Sequence, residues 1–330
     1  MIIFLLLAFW DYSYNLDVDV TYDDNIYAYS GPYIDDFLHQ IRPYRFPFDS
    51  YDDLVTGVDF NLLVRNKFFG QRTTTLSFDV NSDNYLVNAQ KNFQKYIFGL
   101  RQSFGNYAIK ASYEIIPRYL IRFYRDPQGS STDYIGCEAA YHTAGAKVSF
   151  KSIADITLYA GYDHKWDNYI KEFNRYDARG HLISFGLEKE IIRHVNFGFG
   201  YTYRTSSNDS ADVMTSAAEL TPDGSFYQHT LSGDLQLQMM ILVPADVRLY
   251  YSYAYRNYTA TSAEDLLHFG RQDNRHWLTI SVRARIMTGL RLKLYGARQW
   301  RNASSEVLAD IGDIKDYVRY RAGAGLEFYY

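Results

Sequence analysis

Two sets of charged residues fall at alternate positions of the chain. Asp17, Asp19, Asp59, Asp79 and Asp83 form an early acidic set, joined later by Glu114, and Arg283, Arg285, Arg291, Lys293, Arg319 and Arg321 form a late basic one. Residues two apart lie on one face of an extended chain and on different faces of a helix. Like charges in that arrangement attract and orient ions of the opposite sign. Bond-making chemistry needs more, namely a nucleophile, a base and an orienting group within hydrogen-bond reach. The histidines at 39, 142, 164, 181, 194, 229, 268 and 276 sit in no nucleophile motif, and His142, His181 and His229 read as interface or rim residues. Cys137 is the only cysteine, which excludes an intrachain disulfide and CxxC sites. Asp23, Asp24 and Asn25 gather the oxygens that a hard cation wants, but without EF-hand spacing they read as a solvated turn. Neither enzyme activity nor a metal or cofactor is expected.

The elements that position these charges follow from composition and period. The chain of 330 residues carries 33 Tyr and 21 Phe, an aromatic fraction of 18%, yet its mean hydropathy is polar. Abundant aromatics in a polar chain are expected where each second strand residue faces lipid and its neighbour faces water. The net charge of −4, with no basic run interleaved with aromatics, argues against nucleic-acid binding. Met1 to Phe9 is the one long apolar run and is far short of the roughly 20 residues of a membrane helix. It lacks a basic start and a small-x-small cleavage site, so residues 1–13 read either as a signal-peptide remnant or as apolar chain ahead of a domain over 14–330.

From Tyr14 onward the dominant period is two, the signature of strands. Leu16, Val18, Val20 and Tyr22 oppose Asp17, Asp19 and Thr21, and Val318, Tyr320, Ala322, Ala324, Leu326 and Phe328 oppose Arg319, Arg321 and Glu327. The pattern predicts fourteen strands, near 14–27, 54–66, 73–83, 93–104, 107–124, 132–150, 155–164, 180–189, 195–204, 226–239, 246–258, 274–286, 290–301 and 316–330. Short and long connections alternate, which is the loop parity of an up-and-down transmembrane β-barrel and has no cause in a soluble sandwich. Gly105-Asn106 suits a two-residue hairpin, and Asp126-Pro127-Gln128-Gly129 a turn between two long strands that should rise clear of the membrane. Met287-Thr288-Gly289 reads as a three-residue turn pairing Ile286 with Leu290, which sets Arg285 opposite Arg291 and Arg283 opposite Lys293. Those cations need a compensating anion, and Glu327 is the candidate to neutralise one of them.

The last strand ends Gly325-Leu326-Glu327-Phe328-Tyr329-Tyr330, which resembles the C-terminal β-signal of Gram-negative outer-membrane barrels, although that family more often ends in Phe. Asp23 to Tyr27 weakly resembles porin-type barrels. The resemblance implies an outer-membrane location, an assembly signal at Gly325, Phe328 and Tyr330, and as partners the barrel assembly machinery, outer-membrane lipid and lipopolysaccharide.

A closed fourteen-stranded wall has a radius of roughly 14 Å, too wide for side chains to fill. It holds either water or an inward-folded plug. The 28–53 segment, with Phe37, Pro43, Tyr44, Phe46, Pro47 and Phe48, reads equally as a constriction or as an external cap. Closure places the acidic strands beside the basic ones, so the twelve charged residues are expected to line a lumen with a transverse field. The function expected is passive passage of small hydrophilic solutes, anions among them. The alternative is a scaffold or export barrel that binds a protein partner through Arg118, Arg122 and Arg125 of the 107–150 hairpin.

Overall fold

The computed structural model describes residues 10–68, 72–209, 223–240 and 242–330, so the Met1–Phe9 run lies outside the described residues. Fourteen strands account for most of the chain: β1 (Asp11–Asp23), β2 (Asp53–Phe68), β3 (Arg72–Tyr85), β4 (Phe93–Phe104), β5 (Tyr107–Arg125), β6 (Tyr134–Lys151), β7 (Ile156–Tyr169), β8 (Ala178–Ile192), β9 (Val195–Asn208), β10 (Phe226–Met240), β11 (Pro244–Tyr258), β12 (Gln272–Met287), β13 (Leu290–Ser304) and β14 (Tyr317–Tyr329). Among the described residues two α-helices, α1 (Gly31–Leu38) and α2 (Ile311–Lys315), lie in the connections. Each strand pairs antiparallel with its neighbours in sequence, and β1 pairs with β14 to close the barrel. Closure leaves no strand edge unpaired, which is what a sheet surrounded by hydrocarbon requires.

The expected alternation is the physical cause of the wall. Val18, Val20 and Tyr22 of β1, Leu54 and Val58 of β2, and Tyr320, Leu326 and Phe328 of β14 are all exposed on the outer face. Asp17, Asp19, Thr21 and Asp23 between them are buried on the inner one. The short turns gather at one end of the barrel, here the turn end, and the long connections at the other, the loop end. Gly105 has φ +72° and Gly289 φ +80°, conformations that only glycine adopts without strain in such tight hairpins.

Three expectations need correction. β1 ends at Asp23, not Tyr27, because the Asn25 carboxamide accepts from the Tyr29 amide (2.8 Å) and donates to the Tyr29 and Val318 carbonyls (2.8 and 3.1 Å), turning the chain inward. That turn is not solvated: Asp23 and Asn25 are buried. The β12–β13 turn has two residues, with Met287 rather than Ile286 opposite Leu290, and a bulge between Arg285 and Met287 absorbs the extra residue. The register beyond it sets Arg285 opposite Arg291, Arg283 opposite Lys293, Ala284 opposite Leu292 and Val282 opposite Leu294.

β5 and β6, the two longest strands, stay paired to Arg125 and Tyr134, with irregularities between Ile116 and Tyr119 and between Leu120 and Arg122 that break the alternation. The tip around Gln128 is exposed, whereas Leu120 is buried and Phe123 packs on the connection between β1 and β2.

Candidate functional site

The inner face of the β1–β14 seam is a ladder of ion pairs. Lys293 Nζ lies 2.5 Å from Asp17 Oδ2 and 3.8 Å from Asp19. Thr21 Oγ1 donates to Asp19 Oδ2 (2.8 Å) and is hydrogen-bonded to the Tyr295 hydroxyl, which also reaches Asp19 (3.3 Å). Asp19 has room because Gly57 and Gly325 face it from both sides; a Cβ there would meet Asp19 atoms at 2.7 and 2.6 Å. Higher up, Arg319 binds both oxygens of Asp23 and Arg321 Nε lies 3.3 Å away. Near the turn end Glu327 accepts from Asn15 Nδ2 (2.9 Å) and lies 3.6 Å from Arg291 and 3.9 Å from Arg283. Glu327 thus answers two cations rather than one. Arg285 has no carboxylate within salt-bridge distance among the described residues and is exposed.

Of the acidic set, only Asp17 and Asp19 meet a cation of the basic one, Lys293, among the described residues; Arg319 and Arg321 pair with Asp23, and Arg283 and Arg291 with Glu327. Of the remaining acids, Asp59 accepts from Asn81 (2.6 Å) and Asp79 is hydrogen-bonded to Asn61. Asp83 stands on the same inner face of β3, and Glu114 on that of β5. At the C-terminus Gly325 backs Asp19, Phe328 faces outward, and Tyr330 exchanges backbone bonds with Tyr14 (3.0 and 3.1 Å) and stacks on Tyr12 and Tyr14.

The segment between β1 and β2 folds into the loop-end mouth. Ile26, Tyr27 and Tyr29 are buried against Val55, Tyr85 and Leu120, with Tyr33, Phe48 and Phe123 packed around them. Arg122 of β5 donates from Nε to the Tyr27 carbonyl (2.6 Å) and also binds that of Ala28, while its guanidinium stacks over Tyr29. Ser30 Oγ donates to the Asp313 carbonyl of α2 (2.5 Å). Lys91, between β3 and β4, donates to the Leu120 and Ile121 carbonyls (2.5 and 3.0 Å), and burial pushes its pKa well below the usual lysine range. The 28–53 segment packs both on its own side chains, with Phe37 stacked on Phe48 and edge-on to Phe46, and on the barrel through Tyr29. Arg122 is consumed by this contact and is not offered to an outside partner, whereas Arg118 is exposed and pairs with Glu138 (2.6 Å).

Next to the insert a cavity of about 410 Å³ is lined by Arg122 and Tyr124 of β5, Arg256 of β11, Arg271, Arg301 of β13 and Lys315 of α2, with Asp167 of β7 also in its wall. Asp273 anchors three of the cations: Arg271 binds it through Nε and Nη2 (both 2.7 Å), with Arg275 at 3.5 Å and Arg301 at 3.9 Å, while Asp167 pairs with Lys165 (2.9 Å) and Arg204 (3.6 Å). Burial, reinforced by Arg271, Arg122 and Arg301, holds the Lys315 pKa well below its ordinary value. Against β7–β11 near the turn end lies a second space, of about 630 Å³, lined by Tyr159, Glu188, Asp234 and Arg248. Sequence reasoning missed the mouth cluster, although Arg271, Asp273 and Arg275 share the odd-numbered parity of Arg283 and Arg285, which was the available signal.

A closed antiparallel wall, apolar outside and charged inside, makes the chain by fold a porin-like outer-membrane β-barrel. No protein-family model matches the sequence, and no curated protein matches it. Among solved structures it is similar to an anion-selective porin from Comamonas acidovorans (9% identity, 97% of this chain and 99% of that one, TM-score 0.47). It is similar also to OccK1 (OpdK) from Pseudomonas aeruginosa (10% identity, 97% and 99%, TM-score 0.44). A third similar structure is CdiB from Acinetobacter baumannii (12% identity, 97% of this chain and 60% of that one, TM-score 0.49). At such identities the likeness concerns fold.

Proposed function

We propose that this chain is an outer-membrane channel through which small hydrophilic solutes, anions in preference, diffuse passively. The observation that carries the reading is a cavity at the mouth bordered by Arg256, Arg271 and Arg301, with Asp167 the one carboxylate among its described lining residues and Asp273 anchoring Arg271 and Arg301. Cations around a restricted aqueous path lower the barrier for anions and raise it for cations. The twelve residues of the two charge sets act in this reading as lining that polarises the water between the walls. Passage of this kind uses no bond-making group, so the protein acts without catalysis.

Reconstitution into planar bilayers tests the proposal. Stepwise conductance, with a reversal potential in a salt gradient that favours the anion, is the expected result. Electrical silence together with co-purification of a bound protein would instead support a scaffold that uses the exposed β5–β6 tip.

A further inference from the structure

The outer face carries a repeated pair that conduction does not use. On four consecutive loop-end hairpins a tyrosine of the odd strand is bonded to a histidine of the even one: Tyr113 to His142 (2.7 Å), Tyr162 to His181 (2.7 Å), Tyr201 to His229 (2.8 Å) and Tyr251 to His276 (2.9 Å), each from hydroxyl to Nδ1. The register is the same every time. The residue opposite each tyrosine lies two beyond the histidine: Ala144, Ile183, Leu231 and Leu278. Each histidine shares its parity, and hence its face, with an exposed apolar side chain of its strand: Val148, Phe185, Leu231 and Ile280.

The four histidines also lie at one level. His142 is opposite Trp166, which is opposite Arg179, and His181 lies two residues further along β8. His181 leads through Thr205 to Tyr227, two residues before His229, and His229 through Tyr255 to Asn274, two residues before His276. A constant step of two residues for every two strands is the stagger that strand tilt imposes on a level ring around a barrel. The ring sits toward the loop end of an apolar wall, where a lipid headgroup layer meets hydrocarbon.

We propose that this Tyr–His belt is a docking ring for anionic lipid headgroups, whose phosphate oxygens accept from the histidine Nε2–H groups. When the phenol donates to Nδ1, the imidazole proton resides on Nε2, and the pair presents one fixed donor toward the headgroups. The nearby charges fit the same ligand. Arg179, exposed near His181, also pairs with Asp209 (3.3 Å), His164 contacts His181 (3.4 Å), and on β13 Arg298 stacks over Trp300 and Tyr320, with Trp300 in turn stacked on His276. The proposal rests on the placement in a bilayer given above but not on conduction.

The full chain is refolded into phosphatidylcholine vesicles with and without phosphatidylglycerol, and its melting is followed by heat-modifiable mobility. Anionic lipid should raise the melting temperature of the parent chain. A variant with His142→Phe, His181→Phe, His229→Phe and His276→Phe keeps the ring area and should lose more than half of that shift, while inserting normally into phosphatidylcholine alone. An undiminished shift would overturn the proposal, assigning the effect to Arg179 and Arg298 or to surface charge in general. An equal loss of stability in both lipids, with the shift retained, would also overturn it, reducing the pairs to internal hydrogen bonds. Should the histidine variant fail to insert, Tyr113→Phe, Tyr162→Phe, Tyr201→Phe and Tyr251→Phe free the imidazoles from their orienting bond. That variant should show a reduced shift, and an unchanged one would be decisive against the belt. Loss of insertion in phosphatidylcholine by the parent chain itself would count against the bilayer reading, not the lipid preference.

Discussion

Arg319 of β14 holds Asp23 of β1 through both carboxylate oxygens, Nε lying 2.8 and 3.0 Å from them, across the seam where the two ends of the chain meet. Asp23 is wholly buried and also faces Arg321 at 3.3 Å. Removing one partner of a buried pair strands the other charge, at a cost of about 3–5 kcal/mol, whereas replacing both partners by apolar groups is often close to neutral. Asp23→Ala should therefore lower the temperature of heat-modifiable unfolding strongly, and Asp23→Ala with Arg319→Met should recover much of the loss. If single and double variants melt alike, the pair is not what holds the seam.

Glu327 sits between Arg283 and Arg291, so its removal and theirs should act in opposite directions. Glu327→Gln frees two cations at the turn end and should move the reversal potential toward the anion. Replacing Arg283, Arg285, Arg291 and Lys293 with Gln should move it toward the cation. Both shifts should grow at low salt, because the screening length rises from about 10 Å at 0.1 M to about 30 Å at 0.01 M. Identical selectivity in folded variants would remove these residues from the permeation path.

Arg122 is the clasp of the mouth insert, bonded to the Tyr27 and Ala28 carbonyls and stacked over Tyr29. Arg122→Ala leaves those carbonyls without their donor and should loosen the insert. Larger and noisier unitary conductance is expected, with faster proteolysis between Tyr33 and Asp49. Unchanged conductance would mean that the insert does not border the path.

Deleting Phe328 to Tyr330 removes the pairs of Phe328 with Leu16 and Leu290, the two backbone bonds between Tyr330 and Tyr14, and the stacked Tyr330 ring. We expect membrane assembly to fail, with loss of the heat-modifiable form and periplasmic degradation. Normal insertion of the truncated chain would count against an assembly signal at Gly325, Phe328 and Tyr330.

The wall was legible because its cause is local. Where Leu16-Asp17-Val18-Asp19-Val20 alternates, only a strand with one apolar and one wet face satisfies every side chain, and β4 runs from Phe93 to Phe104 as the alternation predicts. The seam followed once closure was assumed, since it alone brings Asp17 beside Lys293. What remained hidden depends on contacts distant in sequence. The Asn25 turn is set partly by the Val318 carbonyl, and the break at Pro117–Arg122 lets Arg122 reach Tyr27, neither of which has a local pattern. The Tyr–His diagonals emerge only when register is known, because no sequence window holds both members of a pair.

The mouth insert is fastened at sites far apart in the chain: to β14 through Asn25 and Val318, to α2 through Ser30 and Asp313, and to β5 through Arg122. It cannot reach its final position until the first and last strands have met. A chain caught before that meeting has a raw sheet edge and, at the same time, an unseated aromatic segment carrying Tyr27, Tyr29 and Phe48. The two defects vanish together. Completion of the cylinder and seating of the insert are thus coupled, because both need β14 beside β1.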